Sequence, residues 1–239
     1  MYNNIIVVPY RDRKNHLEVF KNKIKSFLEV LGNDTLILIV EQKEGKEFNR
    51  GKLLNIAVKE YNDSCNKAFI FHDVDTFLKG NDKPKYKNDN DIVRLWMPHA
   101  KSCGGICKFK KEVINAVNGH PNNIWGWGIE DRALYYRTVI QGYKTTDIID
   151  ERSKLEMLAH KSNIITNYVG EKKEIDKNVT NILSASKEAK QNFIINSGIS
   201  TLTKINEYDN QDNTILDENE YIILDKFESE NYVKIIVDI

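Results

Sequence analysis

Short apolar runs alternate along the first half of the chain with segments whose apolar residues recur every three or four positions. The runs cover residues 3–9, 35–42 and 67–75, and Pro9 predicts the end of the first strand. Between the first two runs, apolar residues fall at helical spacing: Leu17, Phe20, Ile24, Phe27, Leu28 and Leu31. Residues 51–61 predict a second helix. Because the runs are apolar throughout, they indicate a mostly parallel, Rossmann-like sheet with helices on both faces.

The pattern continues with further strands and helices and then changes character. Residues 91–97 and 104–109 predict strands, and residues 110–119 and 130–142 predict helices that end at Gly119 and Gly142. Further along, residues 173–193 predict a polar helical segment, 206–220 an acidic loop, and 221–227 and 231–239 two closing strands. We therefore predict an α/β core over residues 1–163 and a C-terminal extension over residues 164–239, packed on the same domain.

Charge and cysteine content argue against some classes of protein. The 35 Lys and Arg residues equal the 35 Asp and Glu residues, which argues against a nucleic-acid binder with a broad basic surface. The three cysteines are odd in number and include no C-x-x-C pair, which predicts reduced thiols. The sequence shows neither a signal peptide nor an apolar stretch long enough to span a bilayer, so we expect a cytoplasmic protein.

Two aspartates follow the third apolar run. Asp73 and Asp75 stand at the edge where open parallel sheets bind ligands. In an extended backbone both side chains would point the same way, and such a pair can hold a divalent cation and, through it, a diphosphate. Met157 and His160, further along the chain, add a soft donor and an imidazole. The alternatives are solvated turn acids, a core methionine and a strand-edge histidine.

Arginines and an aromatic residue follow the first two strands. Arg11 and Arg13 come after the first, and Phe48 and Arg50 after the second. An arginine can bind a diphosphate through two parallel hydrogen bonds, and an aromatic ring can stack on a base. The N-terminus of the helix predicted to begin near Arg50 is itself a modest anion-binding site. The alternative for each arginine is a solvated loop charge.

Residues 122–132 read NNIWGWGIEDR, with two tryptophans around a glycine and two adjacent carboxylates. Glycines give such a segment conformational freedom, and large rings on a mobile loop suit a surface that closes on a flat or ring-shaped ligand. The alternative is a turn into a helix, with Glu130 and Asp131 in the first turn, where the helix dipole favours them.

These motifs occur in an order that resembles the β-1,4-galactosyltransferases of glycosyltransferase family 7. The resemblance rests on VPYRDR, FNRGKLLN, FHDVD, CGGICKF, NNIWGWGIED and MLAH, and SGISTL and YVKIIVDI resemble the family's closing segments. It covers nearly the whole chain. It implies a GT-A fold and an inverting, Mn²⁺-dependent transfer of galactose, or N-acetylgalactosamine, from a UDP-sugar donor to a hydroxyl group of a glycan acceptor.

The resemblance also implies roles for individual residues. Asp131 would be the catalytic base, Glu130 would help to hold the donor sugar, and Asp75, Met157 and His160 would be the manganese ligands. The donor site that it implies comprises Pro9, Tyr10, Arg11, Arg13, Phe48, Arg50, Asp73, Val74, Gly104, Gly105 and Trp127. The acceptor site that it implies comprises Trp127, Gly128, Asp131 and Arg132, with Trp127 on a lid that closes over both substrates.

The chain departs from the family pattern at two positions of this implied site. Arg132 stands where the family has an acid that contacts the acceptor. An arginine that points into the site would favour an acceptor that carries a carboxylate or phosphate, or one rich in hydroxyl groups. The alternative is an arginine that turns outward from its helix into water. Ser102 stands where the family often has tyrosine, which leaves the donor open among galactose, N-acetylgalactosamine and glucose. Two other classes remain: a glycan- or nucleotide-binding protein of the same fold without turnover, and a metal-dependent phosphohydrolase.

Overall fold

The computed structural model of the protein describes residues 1–126, 128–148, 155–159, 171–206 and 216–239, with only the backbone of residues 81–84. The strands are β1 (Tyr2–Tyr10), β2 (Thr35–Gln42), β3 (Cys65–His72), β4 (Thr76–Leu78), β5 (Ile92–Trp96), β6 (Ile106–Lys110), β7 (Thr146–Asp147), β8 (Leu155–Met157), β9 (Thr203–Lys204), β10 (Glu220–Glu228) and β11 (Val233–Asp238). The α-helices are α1 (Lys14–Leu31), α2 (Arg50–Tyr61), α3 (Lys111–Ala116), α4 (Glu130–Ile140), α5 (Glu171–Asn181) and α6 (Lys187–Ile195).

One large sheet carries most of the strands, in the order β7-β5-β6-β3-β1-β2-β11-β10-β9. Its centre is parallel, since β1 pairs in parallel with β2 and β3, and β2 pairs in parallel with β11. Strand β6 runs antiparallel between β3 and β5, and β10 runs antiparallel to β11. The predicted α/β fold with a mostly parallel sheet is therefore confirmed.

Alternate residues of the central strands face two separate apolar layers. On β1, Ile5 and Val7 pack with residues of α2, whereas Ile6 and Val8 pack with residues of α1. These β1 side chains are fully buried. Burial on both faces explains why the central strands read as continuous apolar runs.

Two local expectations from the sequence are wrong. Strand β1 continues through Pro9 to Tyr10, and Pro9 pairs with Val40 of β2. A proline next to the last residue of a strand is tolerated because the ladder of hydrogen bonds is ending there. After β3 the backbone forms a turn at residues 74–75 instead of an extended segment, so the two aspartates are not related by strand geometry.

The C-terminal part of the chain joins the same sheet. Strand β11 pairs with β2, and β10 and β9 continue the sheet outward. Helix α5 packs beside α4 through a small apolar cluster that includes Tyr136 and Val179. The predicted boundary at residue 163 falls among residues outside the described ranges and stays a prediction.

Two further features concern helices and thiols. Among the described residues, none of the helices has the length and hydropathy that crossing a bilayer requires. Cys65, Cys103 and Cys107 are buried free thiols.

Candidate active site

A cleft of about 1280 Å³ opens at the carboxyl ends of the central strands. Its walls come from the segments after β1, β2, β3 and β5, the start of α4 and the end of β8. Open parallel sheets generally bind ligands at this edge. The fold therefore gathers segments that are far apart in the sequence around one cavity.

Most of the predicted site residues line this cleft. They are Pro9, Tyr10, Arg11, Arg13, Phe48, Arg50, Asp73, Val74, Asp75, Gly105, Gly128, Glu130, Asp131, Arg132 and Met157. Gly104 lies directly behind Asp131, since a Cβ atom on Gly104 would be 2.3 Å from Asp131 Oδ2. The predictions for Trp127 and His160 fall on positions outside the described residues.

Arg50 joins two of the cleft's acids. Its Nε donates to Asp73 Oδ1 at 3.0 Å, and its Nη1 donates to Asp131 Oδ1 at 2.5 Å. Arg50 is the first residue of α2, whose start is capped by the side chain of Asn49 accepting from the Lys52 N–H at 2.9 Å. The helix start therefore places the arginine between the end of β3 and the start of α4.

The cleft's acids differ in their affinity for protons. Burial raises the pKa of Asp131, but the lowering effects of the Arg50 guanidinium and of His120 together outweigh it, so the net pKa lies below the ordinary value. Burial and then the neighbouring Asp131 raise the pKa of Glu130 to about 8. For Asp73, burial outweighs the pairing with Arg50 and raises the pKa to about 6. Asp131 is therefore ionised at neutral pH, and Glu130 is largely protonated.

A strained turn places Glu130 and Asp131. Ile129, which precedes α4, has a φ of 78°, an outlier for a β-branched residue. Such a conformation costs roughly 1–3 kcal/mol and persists only where the surroundings enforce it. Ile129 is buried, and the Asp131 carbonyl accepts from the Cys103 N–H at 3.0 Å. These contacts hold the two carboxyl groups at the cleft's edge despite the strain.

Buried asparagines hold the segment before this turn. Asn49 donates to the Asn122 carbonyl at 2.6 Å, and Asn55 donates to the Asn122 side chain at 2.8 Å. Asn122 in turn donates to the Gly198 carbonyl at 2.9 Å. This network connects Asn122, the first residue of the NNIWGWG segment (residues 122–128), to α2 and to the C-terminal part of the chain. Sequence reasoning did not find it, because its members are far apart in the chain.

Two of the three predicted metal ligands lie together. Strand β8 pairs with β4 so that Met157 stands opposite Thr76, the residue after Asp75. The Leu158 N–H donates to the Asp75 carbonyl at 2.9 Å, and Arg13 Nη1 lies 2.6 Å from Asp75 Oδ2. A buried carboxylate and a thioether thus share one corner of the cleft, and they fit two positions of a mixed oxygen and sulfur ligand set.

Another wall of the cleft combines a cation with an aromatic ring. The Arg11 guanidinium lies 5.5 Å from the centroid of the Phe48 ring, and Arg11 donates to the Lys46 carbonyl. The Phe48 carbonyl accepts from the Gly126 N–H at 2.8 Å. Phe48 is thus linked to the glycine between the two tryptophans.

Arg132 lies on the cleft wall and pairs with Asp176 of α5. About a third of the Arg132 side chain remains exposed, at 34%. Helix α5 also contributes Lys172, whose Nζ donates to the Trp125 carbonyl at 3.0 Å. The C-terminal part of the chain therefore contacts the NNIWGWG segment and the start of α4 together.

Sequence reasoning gave no role to several cleft residues. Trp96 is the last residue of β5, and Pro98 and His99 follow it; β5 runs in the same direction as β3. Their position at the carboxyl end of a predicted strand is a signal that could have found them. His120 was also missed; its Nε2 lies 3.7 Å from Asp131 Oδ1.

Models of known protein families match two adjoining parts of the chain. The N-terminal region of glycosyl transferase group 7 matches residues 1–89, and the N-terminal domain of galactosyltransferase matches residues 86–161. The chain belongs to glycosyltransferase family 7. The second match contains Glu130, Asp131 and Met157, so these cleft residues lie within the part shared with the family.

Individual family members support this assignment. Human beta-1,4-galactosyltransferase 4 is 36% identical in an alignment 168 residues long, which covers 65% of this chain and 48% of that protein. Bovine beta-1,4-galactosyltransferase 1 is 30% identical in an alignment of the same length, which covers 65% of this chain and 41% of that protein. The chain thus spans about half the length of these curated relatives.

Solved structures show the same fold. A Drosophila beta-1,4-galactosyltransferase 7 mutant, in complex with manganese, UDP-Gal and xylobiose, matches with a TM-score of 0.75 at 18% identity, over 100% of this chain and 94% of that chain. Staphylococcus aureus TarS, in complex with UDP-GlcNAc, matches with a TM-score of 0.56 at 11% identity, over 84% and 72% of the two chains. The structural match to the Drosophila protein thus extends through the C-terminal part of this family 7 chain.

The raised pKa of Glu130 gives a prediction on stability. Between its ordinary pKa of 4.5 and the folded value of about 8, the folded state binds more protons than the unfolded state. The free energy of unfolding therefore falls as pH rises through this window. We expect Glu130→Gln to stabilise the metal-free protein, by about 1 kcal/mol at pH 5 and by up to about 4 kcal/mol at pH 8. Urea denaturation at both pH values measures the difference.

Glu29→Gln is the matched control for this measurement, because Glu29 is exposed on α1. It should change the free energy of unfolding equally little at both pH values. A Glu130→Gln variant that is less stable than the wild type at pH 8 would show that Glu130 is ionised and well paired in the folded protein.

Proposed function

We propose that the protein transfers galactose, or N-acetylgalactosamine, from a UDP-sugar to a hydroxyl group of a glycan acceptor, with inversion at the anomeric carbon. One observation supports this proposal most strongly: Asp131, Arg50, Asp75 and Met157 all line the same cleft of a family 7 fold. A displacement at a sugar diphosphate requires an ionised carboxylate, positively charged side chains and ligands for a metal ion, and this cleft brings them together.

The resident metal in this proposal is Mn²⁺, held by Asp75, Met157 and His160. When bound, a divalent cation stabilises the negative charge that develops on the leaving diphosphate. The Drosophila relative bound to manganese and UDP-Gal supports this choice of metal and donor. Arg11 and Arg13, on the same cleft, add positive charge for the diphosphate.

The chain's own groups can carry the proton transfer. Asp131 is ionised, so its carboxylate accepts the proton of the acceptor hydroxyl as the oxygen attacks the anomeric carbon. Arg50 must first release Asp131, and the diphosphate of the donor is the anion that can draw the guanidinium away. Glu130, largely protonated, donates a hydrogen bond to a hydroxyl group of the donor sugar.

The acceptor that we propose is a neutral sugar rich in hydroxyl groups. Arg132 already has a carboxylate partner in Asp176, so its charge is balanced within the protein. An acceptor carboxylate or phosphate would have to compete with Asp176 for the guanidinium. The ion pair thus argues against the anionic acceptor, one of the two kinds that the sequence left open.

Metal removal and a donor screen test the proposal. We expect UDP release from UDP-galactose or UDP-N-acetylgalactosamine only when a hydroxyl acceptor and Mn²⁺ are both present, and loss of activity with a chelator. Asp75→Asn should lower turnover at least about a hundredfold at fixed Mn²⁺, because the site loses a charged ligand. Asp91→Asn, which alters an exposed ion pair with Lys110, is the matched control and should leave turnover unchanged.

Other outcomes distinguish the two alternative classes. Protection against heat by a UDP-sugar and Mn²⁺, without UDP release on any acceptor, would indicate a binding protein. Release of phosphate from simple esters without an acceptor would indicate a phosphohydrolase. Full activity of Asp75→Asn at limiting Mn²⁺ would contradict the metal assignment.

A further inference from the structure

His120 is a buried histidine whose side chain is fully enclosed. It lies in the turn between α3 and the NNIWGWG segment, and its exposure is 0%. Both of its ring nitrogens lack a hydrogen-bond partner among the described residues. A buried polar group without a partner is costly, and each such case in a folded protein calls for an explanation.

The nearest acceptor for this histidine is the carboxylate of Asp131. His120 Nε2 lies 3.7 Å from Asp131 Oδ1, and that same oxygen accepts from Arg50 Nη1 at 2.5 Å. The carboxylate oxygen nearest to the imidazole is therefore the one that Arg50 binds. A guanidinium bound to Oδ1 also makes Asp131 a weaker base, because it favours the charged carboxylate.

We infer that His120 is a positioning residue for Asp131, which donates from Nε2–H to Oδ1 once Arg50 turns from Asp131 to the donor diphosphate. This inference rests on the proposed function, which supplies the diphosphate. A movement of less than about 1 Å brings the two atoms within hydrogen-bond distance. The hydrogen bond from His120 thus keeps the Asp131 carboxylate oriented when its hydrogen bond to Arg50 is broken.

The backbone of His120 is held so that the ring cannot move far. Its N–H donates to Asn55 Oδ1 at 2.9 Å, and its carbonyl accepts from Asn55 Nδ2 at 2.6 Å. A Cβ atom on Gly51 would lie 2.9 Å from His120 Cβ, so α2 packs directly against the side chain. The ring centroid is 5.5 Å from that of Phe71. The imidazole is therefore fixed, and the adjustment falls to Asp131.

Several charged or titratable groups act on this pair. Those that affect Asp131 are Arg50, His120, Asp73, Glu130 and Cys107, and those that affect His120 are Asp131, Arg50 and Arg137. Burial and the two arginines lower the pKa of His120 against the opposing effect of Asp131. The imidazole is therefore neutral at pH 7 and carries one proton, which suffices for one donated hydrogen bond.

Replacing the imidazole tests the inference through turnover. His120→Phe keeps a ring beside Phe71 and removes both nitrogens. We expect kcat to fall about ten- to a hundredfold and the KM for the UDP-sugar to stay within about twofold. The acidic limb of the pH profile of kcat should move to higher pH, because the Asp131 carboxylate loses a hydrogen-bond donor that favours its charged form. His120→Gln, whose amide can reach the same oxygen, should restore part of the loss.

A second readout needs no turnover. The NMR chemical shift of the Asp131 carboxyl carbon, followed against pH, should give a higher pKa for Asp131 in His120→Phe than in the wild type. This should hold both without ligand and with UDP and Mn²⁺. The wild-type ¹⁵N spectrum should show the neutral Nε2–H form of His120; assignment is practical because the chain has 5 histidines. If the phenylalanine variant does not fold, this spectrum still decides, since an Nδ1–H form would overturn the inference.

The two proposals fail in different ways. If the wild type releases UDP from no donor, the proposed transferase activity is wrong, and the titration of Asp131 still decides whether His120 acts on it. If the wild type is an active transferase but His120→Phe keeps its kcat, pH profile and Asp131 titration, His120 is only a core residue. A lower melting temperature of His120→Phe with unchanged kinetics would likewise make His120 a core residue.

Discussion

Asp131→Asn is expected to lower kcat by about a hundred- to ten-thousandfold, the range typical of general-base catalysis. Asparagine keeps the shape of the side chain and removes the site that accepts the proton. The hydrogen bond between Arg50 and residue 131 survives in weaker form, because an amide oxygen can still accept from the guanidinium. Arg50 also keeps its contact with Asp73 at 3.0 Å, so the local structure should persist.

Donor affinity separates a base from a binding residue. We expect the UDP-sugar to protect Asp131→Asn against heat as well as it protects the wild type, because the carboxylate acts on the acceptor hydroxyl. The control is Asp91→Asn, the same chemical change in an exposed ion pair. A variant with normal kcat and weakened donor binding would make Asp131 part of the donor site instead.

The central sheet was predictable from the sequence because each strand is buried on both faces. The unbroken apolar runs of β1, β2 and β3 carry that information locally. The insertion of β11 beside β2 was not predictable, because a strand pattern does not specify its partner. The turn at residues 74–75 was missed for a related reason, since a strand's end has only a weak local signal.

The candidate site was predictable in its acids and arginines but not in their pairings. The motifs placed Asp73, Asp131 and Arg50 in one site, and the structure shows that the arginine joins both acids. Which arginine contacts which acid depends on the relative placement of β3, α2 and α4, and no local pattern encodes it. His120 was missed because a single histidine in a turn has no periodicity and no motif of its own.

The surroundings of Arg132 could not be predicted from its own position in the sequence. From the sequence it is a reversed charge at the implied acceptor site. In the structure Asp176, from a polar helix of the C-terminal extension, balances that charge. The compensating residue lies 44 positions further along the chain, so only the tertiary structure connects the two.

Gly104→Ala is expected to lower kcat about a hundredfold while leaving the fold intact. A Cβ atom at this position would lie 2.3 Å from Asp131 Oδ2 and 2.9 Å from Asp131 Cγ. Real Cβ atoms do not approach so closely, so the carboxylate must move. Arg50 holds the other oxygen of Asp131, and the Asp131 carbonyl accepts from the Cys103 N–H, which restricts the possible movements. A displacement of about 1 Å at a reacting group can cost a hundredfold in rate.

The effect should be confined to the cleft, because Gly104 does not have the positive φ that alanine resists. We expect the free energy of unfolding to fall by about 1–2 kcal/mol, the usual cost of modest overpacking. Gly80→Ala is the matched control, since a Cβ atom there meets nothing within 4 Å and the φ is again not positive. Steady-state kinetics and urea denaturation of both variants give the comparison.

The double variant decides whether Gly104→Ala acts through Asp131. Two changes that disable the same group are not additive, so Gly104→Ala combined with Asp131→Asn should be about as slow as Asp131→Asn alone. If the double variant is slower by a further hundredfold, the new methyl group harms catalysis by another route, such as the donor sugar's path into the cleft. If Gly104→Ala alone keeps the wild-type kcat, the carboxylate of Asp131 avoids the new methyl group without loss of function, and Asp131 takes the proton from a position clear of Gly104.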